Sequence, residues 1–84
     1  MNDTYATSDF DTVSYLRAVD IYQDKIYAKS EDRNRIMFLY NDKEATEKSV
    51  NDFKNGKAMV SPLRLMNEIS NLKTLIFDWK LNNK

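Results

Sequence analysis

The chain has 84 residues, 42% of them hydrophobic and 12% aromatic, and its 13 basic side chains are balanced by 13 acidic ones. A chain of this size makes one small domain in which each buried side chain counts, and the composition is globular rather than disordered. Neutrality argues against a strongly basic nucleic-acid binder or a polybasic membrane protein, and the lack of cysteine excludes disulfides and thiolate zinc sites.

The opening, MNDTYATSDF, has no basic segment followed by an apolar run, so no signal peptide is expected. The longest apolar run, residues 36–40, is far short of a membrane span, and a cytoplasmic protein is the expectation. The first seven residues are polar and read as frayed. Thr7 and Ser8 then offer a helix N-cap, and Asp9 and Asp11 bring negative charge to the first turn. Phe10, Val13, Leu16 and Val19 follow at helical spacing, with Ala18, Ile21 and Tyr22 widening the stripe, which predicts a helix over 9–22.

Next come two runs, DKIYAKS and RIMFLYN, flanking the polar turn cluster EDRN. Ile26 and Ala28 alternate with Lys25, Tyr27 and Lys29, the pattern of a half-exposed edge strand. Ile36, Phe38 and Tyr40 alternate with Met37 and Leu39, so the second run is apolar on both faces and suits a strand covered by helices on one side. Together they predict an antiparallel hairpin, which needs helices over one face to be stable.

A second helix is predicted over NDKEATEKSVNDFKNG, capped by Asn41 or Asp42, striped by Ala45, Val50 and Phe53, and stopped at Gly56. The only glycine and the only proline then fall within seven residues of each other. Asn55-Gly56 supplies a left-handed residue, KAMV is a short extended step, Ser61 caps the next helix, and Pro62 takes its first position, where a missing N–H costs nothing. Leu65, Ile69, Leu72, Ile76 and Trp79 recur at 4-3-4-3 spacing and make the last helix the clearest in the chain. The expected fold is α+β: a small antiparallel sheet packed by three helices in the order α-β-β-α-(β)-α, with 57–60 the candidate third strand.

Four pieces, TSDF at 7–10, FLYND at 38–42, FKNGKAMVSP at 53–62 and NLKTLIF at 71–77, give the chain a wider likeness. In sequence and order they resemble a family of short prokaryotic and phage proteins catalogued only as a domain of unknown function. The resemblance implies an α+β domain and carries no activity, ligand or catalytic residue. Members of this type often have a first helix richer in alanine; here DTVSYLRAVDIY is bulkier and more polar.

With neither His nor Cys, the usual nucleophile–base pairings are missing, and Ser-Lys neighbours at 48–49 and 29–30 point apart. The carboxylate pairs Asp9 and Asp11, Asp20 and Asp24, and Glu31 and Asp32 lack the spacing of a calcium loop, and one glycine cannot build a phosphate-binding loop. No enzyme activity, cofactor or metal site is therefore expected. Two surfaces remain. Lys25, Lys29, Arg33 and Arg35 surround Tyr27 on the hairpin, a pattern that suits single-stranded nucleic acid, although Asp24, Glu31 and Asp32 leave the stretch with little net charge. On the last helix Met66, Lys73 and Phe77 share a second flank, with Leu63 and Leu81 further round, a candidate interface for self-association or a protein partner. A non-catalytic interaction module is the leading functional expectation and a nucleic-acid-binding accessory protein the alternative.

Overall fold

The computed structural model of the chain describes residues 3–29 and 31–82, the stretch 32–34 by its backbone alone. Among these residues the order is β1 (Tyr5–Thr7), α1 (Phe10–Ala18), β2 (Lys25–Lys29), β3 (Asp32–Tyr40), α2 (Lys43–Lys54) and α3 (Pro62–Asn82). The strands form one antiparallel sheet in the order β1-β3-β2, so the expected α+β class with three helices holds. The third strand, however, comes from the N-terminal segment that its polarity marked as frayed. Tyr5, Ala6 and Thr7 pair with Tyr40, Leu39 and Phe38. Residues 57–60 form no strand; Ala58 and Val60 instead lay their side chains against the core.

That early strand also moves the start of α1. Thr7 is committed to the sheet, and its hydroxyl accepts the Asp9 N–H at 3.1 Å. The cap is therefore Asp9, not Thr7 or Ser8: its carboxylate accepts the Thr12 N–H at 3.1 Å and the Thr12 hydroxyl as well. At the other end α1 stops four residues before the apolar stripe does. Asp20 adopts a left-handed conformation with φ 66°, which an aspartate tolerates better than most residues. The Asp20 N–H then donates to the Arg17 carbonyl at 3.1 Å and the Ile21 N–H to the Leu16 carbonyl at 2.8 Å. These are the two bonds of a Schellman stop. The same pair of bonds closes α2, with Gly56 at φ 70°: Gly56 N–H to the Phe53 carbonyl at 3.3 Å, and Lys57 N–H to the Asp52 carbonyl at 2.9 Å. Asp42 caps the start of α2 and the Ser61 hydroxyl accepts the Arg64 N–H at 3.4 Å, both as the sequence predicts.

Register decides which face of the sheet is covered. Ile26 lies opposite Phe38 and Ala28 opposite Ile36, while Lys25 lies opposite Leu39 and Tyr27 opposite Met37. Cross-strand partners share a face, so Ile36, Phe38 and Tyr40 form one surface and Met37 and Leu39 the other. The first surface joins Val13, Tyr15 and Leu16 of α1, Val50 of α2 and Leu72 of α3 in the core. Leu65, Ile76 and Trp79 pack against that cluster, so the last helix does turn its long seam inward. Tyr15 stacks on Phe53 with ring centroids 4.6 Å apart and joins α1 to α2.

The helices also share one buried ion pair. Arg17 Nε donates to Glu68 Oε1 at 2.9 Å, linking α1 to α3, and the Arg17 guanidinium sits 5.1 Å from the centre of the Tyr22 ring. A second, exposed pair joins Arg64 to Asp20, the residue that terminates α1.

Two expectations follow from these contacts. A Cβ at Gly56 would meet nothing within 4 Å, so Gly56→Ala carries only the left-handed backbone penalty, about 1–2 kcal/mol, read as a lower urea midpoint with an unchanged slope. Removing one half of the buried pair in Glu68→Ala strands a guanidinium and costs about 2–3 kcal/mol, discounted for residual water contact. The double replacement Arg17→Met with Glu68→Leu returns to within about 1 kcal/mol of the parent in the same titration.

Candidate functional site

A helix advances 100° per residue, so residues 18 apart return to the same angle. In α3 this puts Leu63 and Leu81 in line, with Met66, Ser70, Thr74 and Phe77 close beside them, on the side opposite Leu65, Leu72 and Trp79. Leu63 is 69% exposed, Met66 66%, Phe77 63% and Leu81 50%, against 0% for Leu72. Met66 and Phe77 therefore lie where the candidate interface requires, and Leu63 and Leu81 extend it into a ridge along the whole helix. Lys73 is exposed on one flank of that ridge.

The second predicted surface is partly assembled. Lys25 and Tyr27 lie on the face of the sheet opposite the core, in register with Leu39 and Met37. Lys29 follows an irregularity in the pairing between Ala28 and Lys29 and lies opposite Asp32. Arg35 is exposed and borders a hollow shared with Ile36 and Phe38. The side chain of Arg33 lies outside the described residues. The nearby acids are also present: Glu31 is exposed, and the Asp24 carboxylate accepts the Asn41 N–H at 2.8 Å.

Among the described residues two hollows stand out on the surface. The larger, about 910 Å³, is an open polar trough along α2 whose lining includes Asp3, Asp42, Glu44, Glu47 and Asp52 beside Lys43 and Lys48. Its carboxylates do not converge, and among the described residues no three acids come together as a metal site requires. The smaller, about 360 Å³, is a notch walled by Phe10, Ile36, Phe38 and Ile76 and rimmed by Ser8, Arg35 and Lys80. It was not foreseen from the sequence, because its parts come from three separate segments and share no spacing.

Electrostatics add little chemistry. The Arg64 guanidinium beside Asp20 holds that carboxyl below the usual carboxylate range. Burial pushes the Tyr40 phenol far above its ordinary value, and burial, then the charge of Glu47, raises Tyr5. These tyrosines stay protonated; their rings lie 6.3 Å apart, centroid to centroid, where β1 meets β3. Among the described residues no helix is long and apolar enough to cross a membrane.

Fold and surfaces together define a small two-layer α+β domain with exposed apolar and mixed-charge patches. Residues 2–78 match the family described as Domain of unknown function (DUF5659), and the chain belongs to that family. No curated protein and no solved structure matches it.

Proposed function

We propose that the protein is a non-catalytic interaction module, encoded by a prokaryote or its phage and working in the cytoplasm, that associates with a second copy of itself through the outer face of α3. The observation that carries this reading is the symmetry of the exposed ridge. Leu63 and Leu81 stand nine residues either side of Leu72, and Ser70 and Thr74 two residues either side. Met66 and Phe77 fall within one residue of the same arrangement. A twofold-related antiparallel helix therefore sets leucine against leucine and methionine against phenylalanine, with the small serine and threonine at the crossing point. A single helix face is a small interface, so association is weak and concentration-dependent.

The twofold also brings Lys73 near its own copy, since each flank meets the same flank. Added salt screens that repulsion and strengthens the apolar contact. Light scattering on a sizing column, over about a hundredfold range of concentration, is expected to show a mass rising toward the dimer, more so at high salt. Phe77→Ser abolishes the rise and shifts folding stability by no more than about 0.5 kcal/mol, because the ring is largely exposed. A strict monomer at every concentration and salt would sink the reading.

A second reading, an accessory protein that binds single-stranded nucleic acid, is supported by one feature: Lys25 and Tyr27 share the helix-free face of the sheet with Met37 and Leu39. Its salt dependence has the opposite sign. Anisotropy of a labelled oligothymidylate should fall about tenfold or more in affinity between 50 and 200 mM salt and weaken in Lys25→Glu, with Tyr27→Ala reducing the stacking contribution. No retained complex at low salt disposes of it.

A further inference from the structure

The sheet has a gap in it beside β1. That strand pairs with β3 over three residues only, ending with Thr7 opposite Phe38, and the chain turns away at Ser8 into α1. β3 continues in the other direction as far as Asp32. Successive residues of a strand direct their N–H and C=O groups to opposite edges. The Leu39 carbonyl accepts the Asp24 N–H at 2.7 Å, which fixes Leu39 toward the β2 side. Tyr40, Phe38 and Ile36 therefore address the β1 side. The first two meet Tyr5 and Thr7, but among the described residues no strand stands opposite Ile36 on that side.

Next to this open stretch of backbone lies the notch of about 360 Å³, with Phe10 and Ile76 on its walls and Phe38 and Ile36 deep within it. Arg35 and Lys80 rim it, and neither is in an ion pair among the described residues. An unpaired strand edge, an apolar hollow and two uncommitted cations thus coincide. The outer edge of β2, by contrast, carries lysine at both ends, a usual guard against edge pairing.

We propose that this gap is a strand-docking site for an extended peptide in which an apolar residue is flanked by acidic ones. The peptide continues the line of β1 and exchanges backbone hydrogen bonds with Ile36. Its residue opposite Ile36 shares that residue's face, so its side chain enters the notch between Phe10 and Ile76. The residues on either side point to the opposite face, one level with Met37 and the other level with Arg35, where a carboxylate meets the guanidinium. Lys80 favours negative charge at the helix side of the same gap. The hollow lies at the low end of the volumes that ligand sites occupy, enough for one valine, leucine or phenylalanine side chain. The site is separate from the outer face of α3 and does not depend on self-association.

The test uses the full chain and its Phe77→Ser variant, so that failure here and failure of the self-association reading are told apart. Amide chemical shifts are followed on titrating a capped Thr-Glu-Val-Glu-Thr peptide to about 5 mM, a range that captures millimolar binding. Saturable shifts centred on Ile36, Phe10 and Ile76, with slowed hydrogen exchange at Ile36, are the expected result in both proteins. Methylating the central valine nitrogen removes the peptide's donor, and replacing both glutamates by lysine reverses its charge; each change should weaken binding about tenfold or more. Arg35→Glu and Lys80→Glu, both exposed positions, should do the same while leaving the far-ultraviolet spectrum unchanged. Absence of shifts, shifts centred elsewhere, or equal binding of the N-methylated peptide would each overturn the proposal.

Discussion

The enclosure of α1 is the constraint on which the rest of the domain depends. Six of its nine residues, Thr12, Val13, Ser14, Tyr15, Leu16 and Ala18, are buried, so the helix has almost no solvent side. It lies on the sheet with α2 on one flank, through Tyr15 and Phe53, and α3 on the other, through Arg17 and Glu68. Such a helix cannot be amphipathic in the ordinary sense, and it is not. Small polar residues take the places where neighbours crowd in. Thr12 spends its hydroxyl on the cap, whereas the Ser14 hydroxyl has no partner among the described residues, a cost that the close packing around it must offset. The one long charged residue, Arg17, has to be met by a carboxylate from the opposing helix, which is why a glutamate is buried in α3.

This enclosure leaves α2 and α3 as the outer helices of a thin body, each with few buried residues. The domain measures 38 × 35 × 17 Å, a thickness that accommodates one sheet and one layer of helices. Nothing in a two-layer body can cover the far side of a 21-residue helix. Polar side chains would satisfy that side, and Asn67, Ser70, Asn71 and Thr74 do so in part. Leu63, Met66, Phe77 and Leu81 do not, and four large apolar residues on the water-facing side are more than scattered exposure accounts for. The proposed twofold contact would supply the missing second layer for that face.

A mismatch of strand lengths shapes the edge of the sheet. β3 has nine residues, whereas β1 has three, because the chain must leave the sheet at Ser8 to begin α1 under the Asp9 cap. The cap that starts the buried helix therefore also creates the gap beside Ile36. Core formation and the open edge are two results of one turn in the chain, and the apolar notch forms where the start of α1 and the end of α3 fail to close over it.

Sequence alone determined the elements whose signals are local. The stop at Gly56, the Ser61-Pro62 start, the alternation of 36–40 and the repeat from Leu65 to Trp79 each depend on residues within a few positions of one another, and each stands in the structure as expected. The same helical period set Met66 and Phe77 on a flank apart from the buried seam, but it left open whether that flank is covered, and only the packing leaves both side chains exposed. Tertiary structure decided what local pattern cannot carry. Residues 5–7 became a strand only because the edge of β3 was free to pair with them, and 57–60 remained unpaired though its composition suited a strand equally well. Asp20 ended α1 against an apolar stripe that continued past it, because the chain had to turn toward β2. The burial of Glu68 and the convergence of Phe10, Ile36, Phe38 and Ile76 come from packing between distant segments, where no spacing along the chain records which side chains will meet.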